Sequence, residues 1–201
     1  LAKTLKNKLN NINLNTKVTS IATLKNSVKV TMESDGKTFS SNYDKVLISV
    51  GRTPNTDNLS LENTGIKITK NGFIEVDEYR RTNIDDIFAI GDVTGNPMLA
   101  HKATHEGKVA AEVCTNIPSA FEPQVIPAVI FTDPELAWAG KTEEELKAEN
   151  IDYEKTEFPW QASGKAIAMD RTEGKTKILF EPDSRRVIGV GIVGCNASDL
   201  I

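Results

Sequence analysis

Leu1, Leu5 and Leu9 recur at every fourth position, the spacing of one helix face, so a short helix opens the chain. The pattern then changes period. Residues 16–24, 27–34 and 37–46 read as three strands parted by turn-forming residues, and Asp35-Gly36 between the second and third is a hairpin dipeptide. Residues 46–50, "VLISV", form an apolar, β-rich run of the kind found in a buried central strand, and the run ends at Gly51. Asn71-Gly72 lies between alternating apolar positions and predicts a second hairpin.

A second apolar run, Ile87 to Ile90, predicts a short parallel strand covered on both faces, ending at Gly91-Asp92. A loop with Gly95 and Pro97 follows, and a helix is expected from about Leu99. Along that helix Ala100, Ala103, Gly107, Ala110 and Ala111 recur at three- or four-residue steps and make a narrow face of small side chains. Three prolines in residues 116–127 mark a boundary. Beyond it the reading is strand 128–132, a helix capped by Thr142 with Glu145 returning to it, and strands 153–160, 175–181 and 186–194. The last two are joined by a Pro182-Asp183 turn, and one more helix starts at Asn196 or Ser198. In this pattern Glu143, Glu144 and Glu145 suit the positive end of a helix and are structural, not a metal site.

Composition narrows the function classes. The chain has 201 residues, 39% hydrophobic and 26% charged, which is ordinary globular material. A net charge of −4 gives no general attraction to nucleic acid or to anionic lipid. No apolar run approaches the roughly 20 residues of a membrane helix, so neither nucleic acid nor membrane is an expected partner. The first residues lack both a Met and an apolar signal core, which suggests a segment of a longer, cytoplasmic protein, or one of the mitochondrial matrix if eukaryotic. Cys114 and Cys195 form no close-spaced pair. Cys114 is expected in the apolar stripe of its helix as a small buried thiol, and Cys195 beside a turn.

The strongest chemical candidate is Asp92. A carboxylate at the carboxyl end of a strand in an open α/β sheet is placed to accept hydrogen bonds from a ligand hydroxyl. Gly-Asp also caps strands and opens turns without any ligand. Residues around it carry more information. The run from Thr82 to His101, "TNIDDIFAIGDVTGNPMLAH", closely resembles the second flavin-binding motif of the pyridine nucleotide-disulfide oxidoreductases, and "PMLAH" is similar to the dihydrolipoamide dehydrogenase branch of that family. The resemblance runs through nearly all of residues 43–201, including "GRTPNT", "VIFTDPELAWAGKTEEE", "FPWQASGKAIA" and "RRVIGVGIVGCNASDLI".

That resemblance implies an α/β architecture in three pieces. Residues 1–50 would be the end of a nicotinamide-dinucleotide-binding Rossmann-like domain, 51–121 the second segment of the FAD-binding domain, and 122–201 an incomplete α+β dimerisation domain. It implies FAD and NAD as cofactors, a homodimer, and lipoyl-bearing subunits of 2-oxoacid dehydrogenase complexes as partners. Asp92, after Gly91, would hold the ribityl chain of FAD; Met98, Leu99, Ala100 and His101 would contact the flavin; Gly51 would lie near the nicotinamide cofactor. His101 is read as a flavin contact, not a base or metal ligand, since only His105 and Glu106 accompany it. No catalytic residue is expected within these residues: the phosphate loops and redox disulfide would precede Leu1, and a His-Glu base would follow Ile201. Glutathione and mercuric reductases, which share the "GD" and "GRxPN" signals, and a non-catalytic scaffold remain alternatives at this point.

Overall fold

Strand alternation and tight turns build the N-terminal part. β1 (Lys17–Thr23), β2 (Val28–Ser34) and β3 (Lys37–Tyr43) form an antiparallel sheet in the order β1-β2-β3. Ser34 pairs with Lys37, and the turn residues between them, Asp35 and Gly36, have φ of 50° and 72°. Positive φ at both positions is what a type I′ turn requires, so the expected hairpin forms for the expected reason. Val30 and Met32 of β2 are buried, and α1 (Ala2–Lys8) precedes the sheet. The computed structural model describes residues 1–201, which divide into two units, 2–52 and 53–201, with Leu1 grouped with the second.

The run Val46–Val50 is not the buried central strand that its composition predicts. It has no strand partner, and Leu47 and Val50 are 90% and 91% exposed. Strand structure requires neighbouring backbone to accept and donate its hydrogen bonds. Residues 2–52 supply none to this run.

In residues 53–127 the chain makes turns around a small core of Leu61, Ile74 and Ala89, with Ile66, Val76 and Val93 packed against it. The Asn71-Gly72 turn forms as expected: Ile68 bridges Ile74, the Thr69 N–H donates to the Phe73 carbonyl at 2.8 Å, and Gly72 has φ of 84°. The expected strand at 87–90 is again corrected. Its only ladder contact is an antiparallel bridge from Phe88 to Arg81, and although Ala89 is buried, Ile90 is exposed. The cause is the same lack of a parallel neighbour. A 3-10 turn (Gly91–Thr94) follows directly, then α2 (Ala100–Cys114), close to the predicted start at Leu99.

Val109, Ala110 and Val113 are the buried apolar residues of α2. Cys114 is exposed, against expectation. One residue beyond Val113 is about 100° further round a helix of 3.6 residues per turn, enough to leave the buried face. Two of the small residues, Ala103 and Gly107, pack against the Ile90–Gly91 segment. A Cβ at Gly91 would lie 3.4 Å from that of Ala103, and one at Gly107 would lie 3.2 Å from Ile90 Cδ1. Ala100 and Ala111 are exposed and take no part in that packing.

No helix or strand occurs in residues 117–127. A five-stranded antiparallel sheet then forms from β4 (Ala128–Ile130), β5 (Glu135–Gly140), β6 (Glu154–Pro159), β7 (Lys175–Phe180) and β8 (Val187–Gly194), in the order β4-β5-β8-β7-β6. Sequence reading misses β5, although Leu136 and Trp138 alternate with Ala137 and Ala139. It also misses the short α4 (Gly164–Ala168). α3 (Glu143–Ala148) has the predicted capping box, the Thr142 hydroxyl accepting the Glu145 N–H and the Glu145 carboxylate accepting the Thr142 N–H. α5 (Ala197–Leu200) begins after Asn196. Ala137, Ile192 and Ala197 form the core here, with Trp160 and Val190 against it. Trp160 lies flat on glycines: a Cβ at Gly174 or Gly194 would come within 2.3 or 2.1 Å of its ring. No helix is long and apolar enough to cross a membrane.

Candidate functional site

Six of the seven site residues predicted from sequence lie on one stretch of chain, the turn and loop that lead into α2. Gly91 has φ of 80°, a left-handed conformation that glycine adopts without strain, and this reverses the chain at the end of the apolar run. Asp92 follows on the exposed side of the turn, while Gly91 itself is buried against α2. Gly95 has φ of 113° and nothing within 4 Å of where a Cβ would stand, so the loop backbone there is open. Met98 and Leu99 are half-buried; Ala100 and His101 are exposed at the first turn of the helix. Gly51, the seventh, belongs to residues 2–52; it has φ of 138° and open space around its Cα.

The helix start is chemically open. Leu99 occupies the N-cap position with extended backbone and has no side-chain oxygen to accept the N–H groups that follow. The first turn of this 15-residue helix therefore presents N–H donors and the positive end of a helix dipole. The His101 imidazole does not fold back to cap it: Nε2 is 2.8 Å from the Pro127 carbonyl, an acceptor, so Nε2 donates and ties α2 to the chain entering β4. His105 packs its ring against Phe121 at 4.9 Å between centroids, and the Arg80 guanidinium lies 4.7 Å over the same Phe121 ring.

Sequence reasoning misses the groups that hold this turn. Glu106 is completely buried and accepts from the Gly91 N–H at 2.6 Å and from Arg80 Nη1 at 2.9 Å. Lys102 Nζ, one helical turn earlier, is 3.0 Å from the same carboxylate and donates to the Gly91 carbonyl at 3.1 Å and the Gly95 carbonyl at 3.2 Å. The Thr94 hydroxyl, 2.8 Å from the Gly91 carbonyl, also lies within reach of Glu106 and Lys102. A signal for this cluster was present: Lys102 and Glu106 stand in register with Val109 and Val113, at steps of four, three and four, so two charged residues occupy the inward stripe.

An exposed carboxylate next to a glycine turn and an uncapped helix start suit a ligand with hydroxyls along one part and an anionic edge on another. The carboxylate accepts from hydroxyls; the helix N–H groups donate to negative charge. That donor set fits a flavin dinucleotide.

Comparison with known proteins identifies the family. The family model described as pyridine nucleotide-disulphide oxidoreductase matches residues 1–107, and the dimerisation-domain model of the same family matches residues 126–201. The chain belongs to this family, as an α/β member with two sheets. It is 48% identical to the dihydrolipoyl dehydrogenase of Vibrio cholerae over 99% of its own length and 42% of the relative's. With the dihydrolipoyl dehydrogenase of Buchnera aphidicola subsp. Acyrthosiphon pisum it is 54% identical, over 79% of this chain and 34% of that one. Among solved structures, LpdA of Mycobacterium tuberculosis superposes with a TM-score of 0.81 at 30% identity, covering 93% of this chain and 40% of LpdA. The chain thus spans about two fifths of the length of the curated relatives it matches.

Proposed function

We propose that these residues form the flavin-facing and subunit-facing parts of an enzyme that oxidises protein-bound dihydrolipoamide and passes the electrons through a disulfide and FAD to NAD+. The observation that carries the reading is the buried clamp on Gly91, which leaves Asp92 exposed on the turn leading to an uncapped helix start. The high identity to dihydrolipoyl dehydrogenases supports lipoamide as the substrate. When bound, FAD supplies two-electron transfer between the thiols and the nicotinamide.

Each residue has a part in that proposal. Asp92 accepts hydrogen bonds from the ribityl hydroxyls. The N–H groups of Ala100 and His101 would donate to the flavin's electron-rich edge, where a helix end contributes about 0.3–1 kcal/mol, or up to about 2 when partly buried. Met98 and Leu99 would supply polarizable apolar contact, and Gly51 would lie near the nicotinamide cofactor. No bond-making residue is assigned within residues 1–201. The domain scheme is 1–50 for the NAD-binding domain, 51–121 for the FAD-binding domain and 122–201 for the interface. The dimerisation-domain model that matches residues 126–201 supports a homodimer. Lipoyl-bearing subunits of 2-oxoacid dehydrogenase complexes are the partners in this scheme, and the setting is cytoplasmic, or the mitochondrial matrix if eukaryotic.

Replacement of Asp92 tests the reading. A charge-assisted hydrogen bond is worth about 1.5–3 kcal/mol. Asp92→Ala in the full polypeptide is therefore expected to weaken FAD binding by roughly one to two powers of ten, at about 1.4 kcal/mol per tenfold. Asp86→Ala is expected to leave it unchanged. Equilibrium dialysis of FAD against both variants decides the matter: equal affinity for Asp92→Ala and parent would reduce the carboxylate to a turn residue.

A further inference from the structure

Between α2 and the Gly91–Thr94 turn the chain encloses two cations and one carboxylate. Glu106 is fully buried, Lys102 is 5% exposed, and the Arg80 side chain is 12% exposed. Helix packing alone does not call for such a cluster, since replacing buried ion pairs by well-packed apolar groups is often neutral or stabilising. Hydrogen bonds, unlike apolar contacts, fix directions. The Gly91 N–H, in the peptide entering the turn, is held by Glu106, and the Gly91 carbonyl, in the peptide joining Gly91 to Asp92, is held by Lys102 and Thr94. Both peptide planes that lead into Asp92 are thereby oriented from α2, and Lys102 is in turn paired with Glu106 at 3.0 Å. Gly91 needs its positive φ, and the Ala103 methyl stands 3.4 Å from where a Cβ on it would be.

We propose that Glu106 is a positioning residue for flavin binding: acting through Lys102 and the Gly91–Thr94 turn, it holds the Asp92 carboxylate in the orientation a polyhydroxyl chain requires. The inference rests on the reading of Asp92 given above. Glu106→Gln keeps the shape of the side chain and an oxygen for the Gly91 N–H, but removes the charge that anchors Lys102 and Arg80. Thr94→Val removes only the hydroxyl that joins the Gly91 carbonyl to the cluster.

A double-variant cycle on FAD affinity tests the role, by equilibrium dialysis in the full polypeptide with the melting temperature of each apoprotein measured beside it. Asp92→Ala is expected to weaken FAD binding by about tenfold to a hundredfold and Glu106→Gln by roughly tenfold. The combined variant is expected to bind FAD within about twofold of Asp92→Ala alone, because a misdirected carboxylate and a missing one are the same loss. A purely structural Glu106 would lower the melting temperature and multiply its affinity loss with that of Asp92→Ala, which overturns the proposal. Normal FAD affinity in Glu106→Gln, with Asp92→Ala weakened, overturns the positioning role and leaves the Asp92 reading standing. Normal affinity in Asp92→Ala defeats both. Should Glu106→Gln yield no folded apoprotein, Thr94→Val takes its place in the cycle, and its outcomes are read in the same way.

Discussion

Two apolar runs of this chain, Val46–Val50 and Val187–Gly194, share a richness in Val and Ile and are opposite in structure. The second is β8, hydrogen-bonded to β5 on one side and β7 on the other, with Gly189, Ile192 and Gly194 buried. The first is irregular and exposes Leu47 and Val50 almost completely. Side-chain chemistry favours a strand in both. Neighbours decide it, because an extended backbone leaves its N–H and C=O groups unpaired until another strand lies beside it. β8 finds its partners within about sixty residues of sequence, in antiparallel pairs, whereas a doubly covered parallel strand depends on crossovers and layers from elsewhere in a fold.

The largest effect is expected at the paired run. Ile192 is 5% exposed in the core of the five-stranded sheet, so Ile192→Ala is expected to cost about 2–5 kcal/mol, read from the denaturant midpoint of the sheet's unfolding. A loss below about 1 kcal/mol would mean that β8 is no better anchored than the unpaired run. The second test uses charge. Glu143, at the start of α3, has its carboxyl lowered to about 2 chiefly by the Lys177 hydrogen bond at 2.7 Å, with Tyr153 and Lys155 adding to it against a smaller desolvation penalty. A carboxylate with a lowered folded-state pKa stabilises above its unfolded value and loses that contribution as pH falls toward the folded one. The sheet is therefore expected to lose stability between roughly pH 4.5 and 2, more in the parent than in Glu143→Gln. Parallel pH profiles for the two proteins would remove Glu143 from the account. The smallest effect is predicted at the unpaired run, where Leu47→Ser and Val50→Ser in the 201-residue chain are expected to change stability by no more than about 0.5 kcal/mol. If the same pair costs more than about 2 kcal/mol in the full polypeptide, then neighbours and not the run itself set its structure.

What could be read from the sequence follows the same division. The Asp35-Gly36 and Asn71-Gly72 turns and the Thr142–Glu145 capping box are legible because cause and effect lie within four residues. Val46–Val50 and Ile87–Ile90 are misread as strands because periodicity describes the environment a segment suits and does not supply it. Cys114 is misplaced by a single position on a narrow helix face. At the site, Gly91 and Asp92 stand out through motif and resemblance, but their clamp does not: Lys102 and Glu106 look like an ordinary surface pair of a helix. Their register with Val109 and Val113 hints at the interior, the packing of the turn on α2 makes it so, and Arg80 joins them from 26 residues away in sequence.

Trp160, seated on Gly174 and Gly194, has an optical consequence. The chain has two tryptophans, Trp138 in β5 and Trp160 beside β6, so all of its tryptophan emission originates in residues 128–201. Selective tryptophan excitation during unfolding will follow the five-stranded sheet and stay blind to the hairpins, the Asp92 turn and α2. Set beside a backbone signal such as circular dichroism, it separates the melting of the self-paired sheet from that of everything before it, within one sample and without any label.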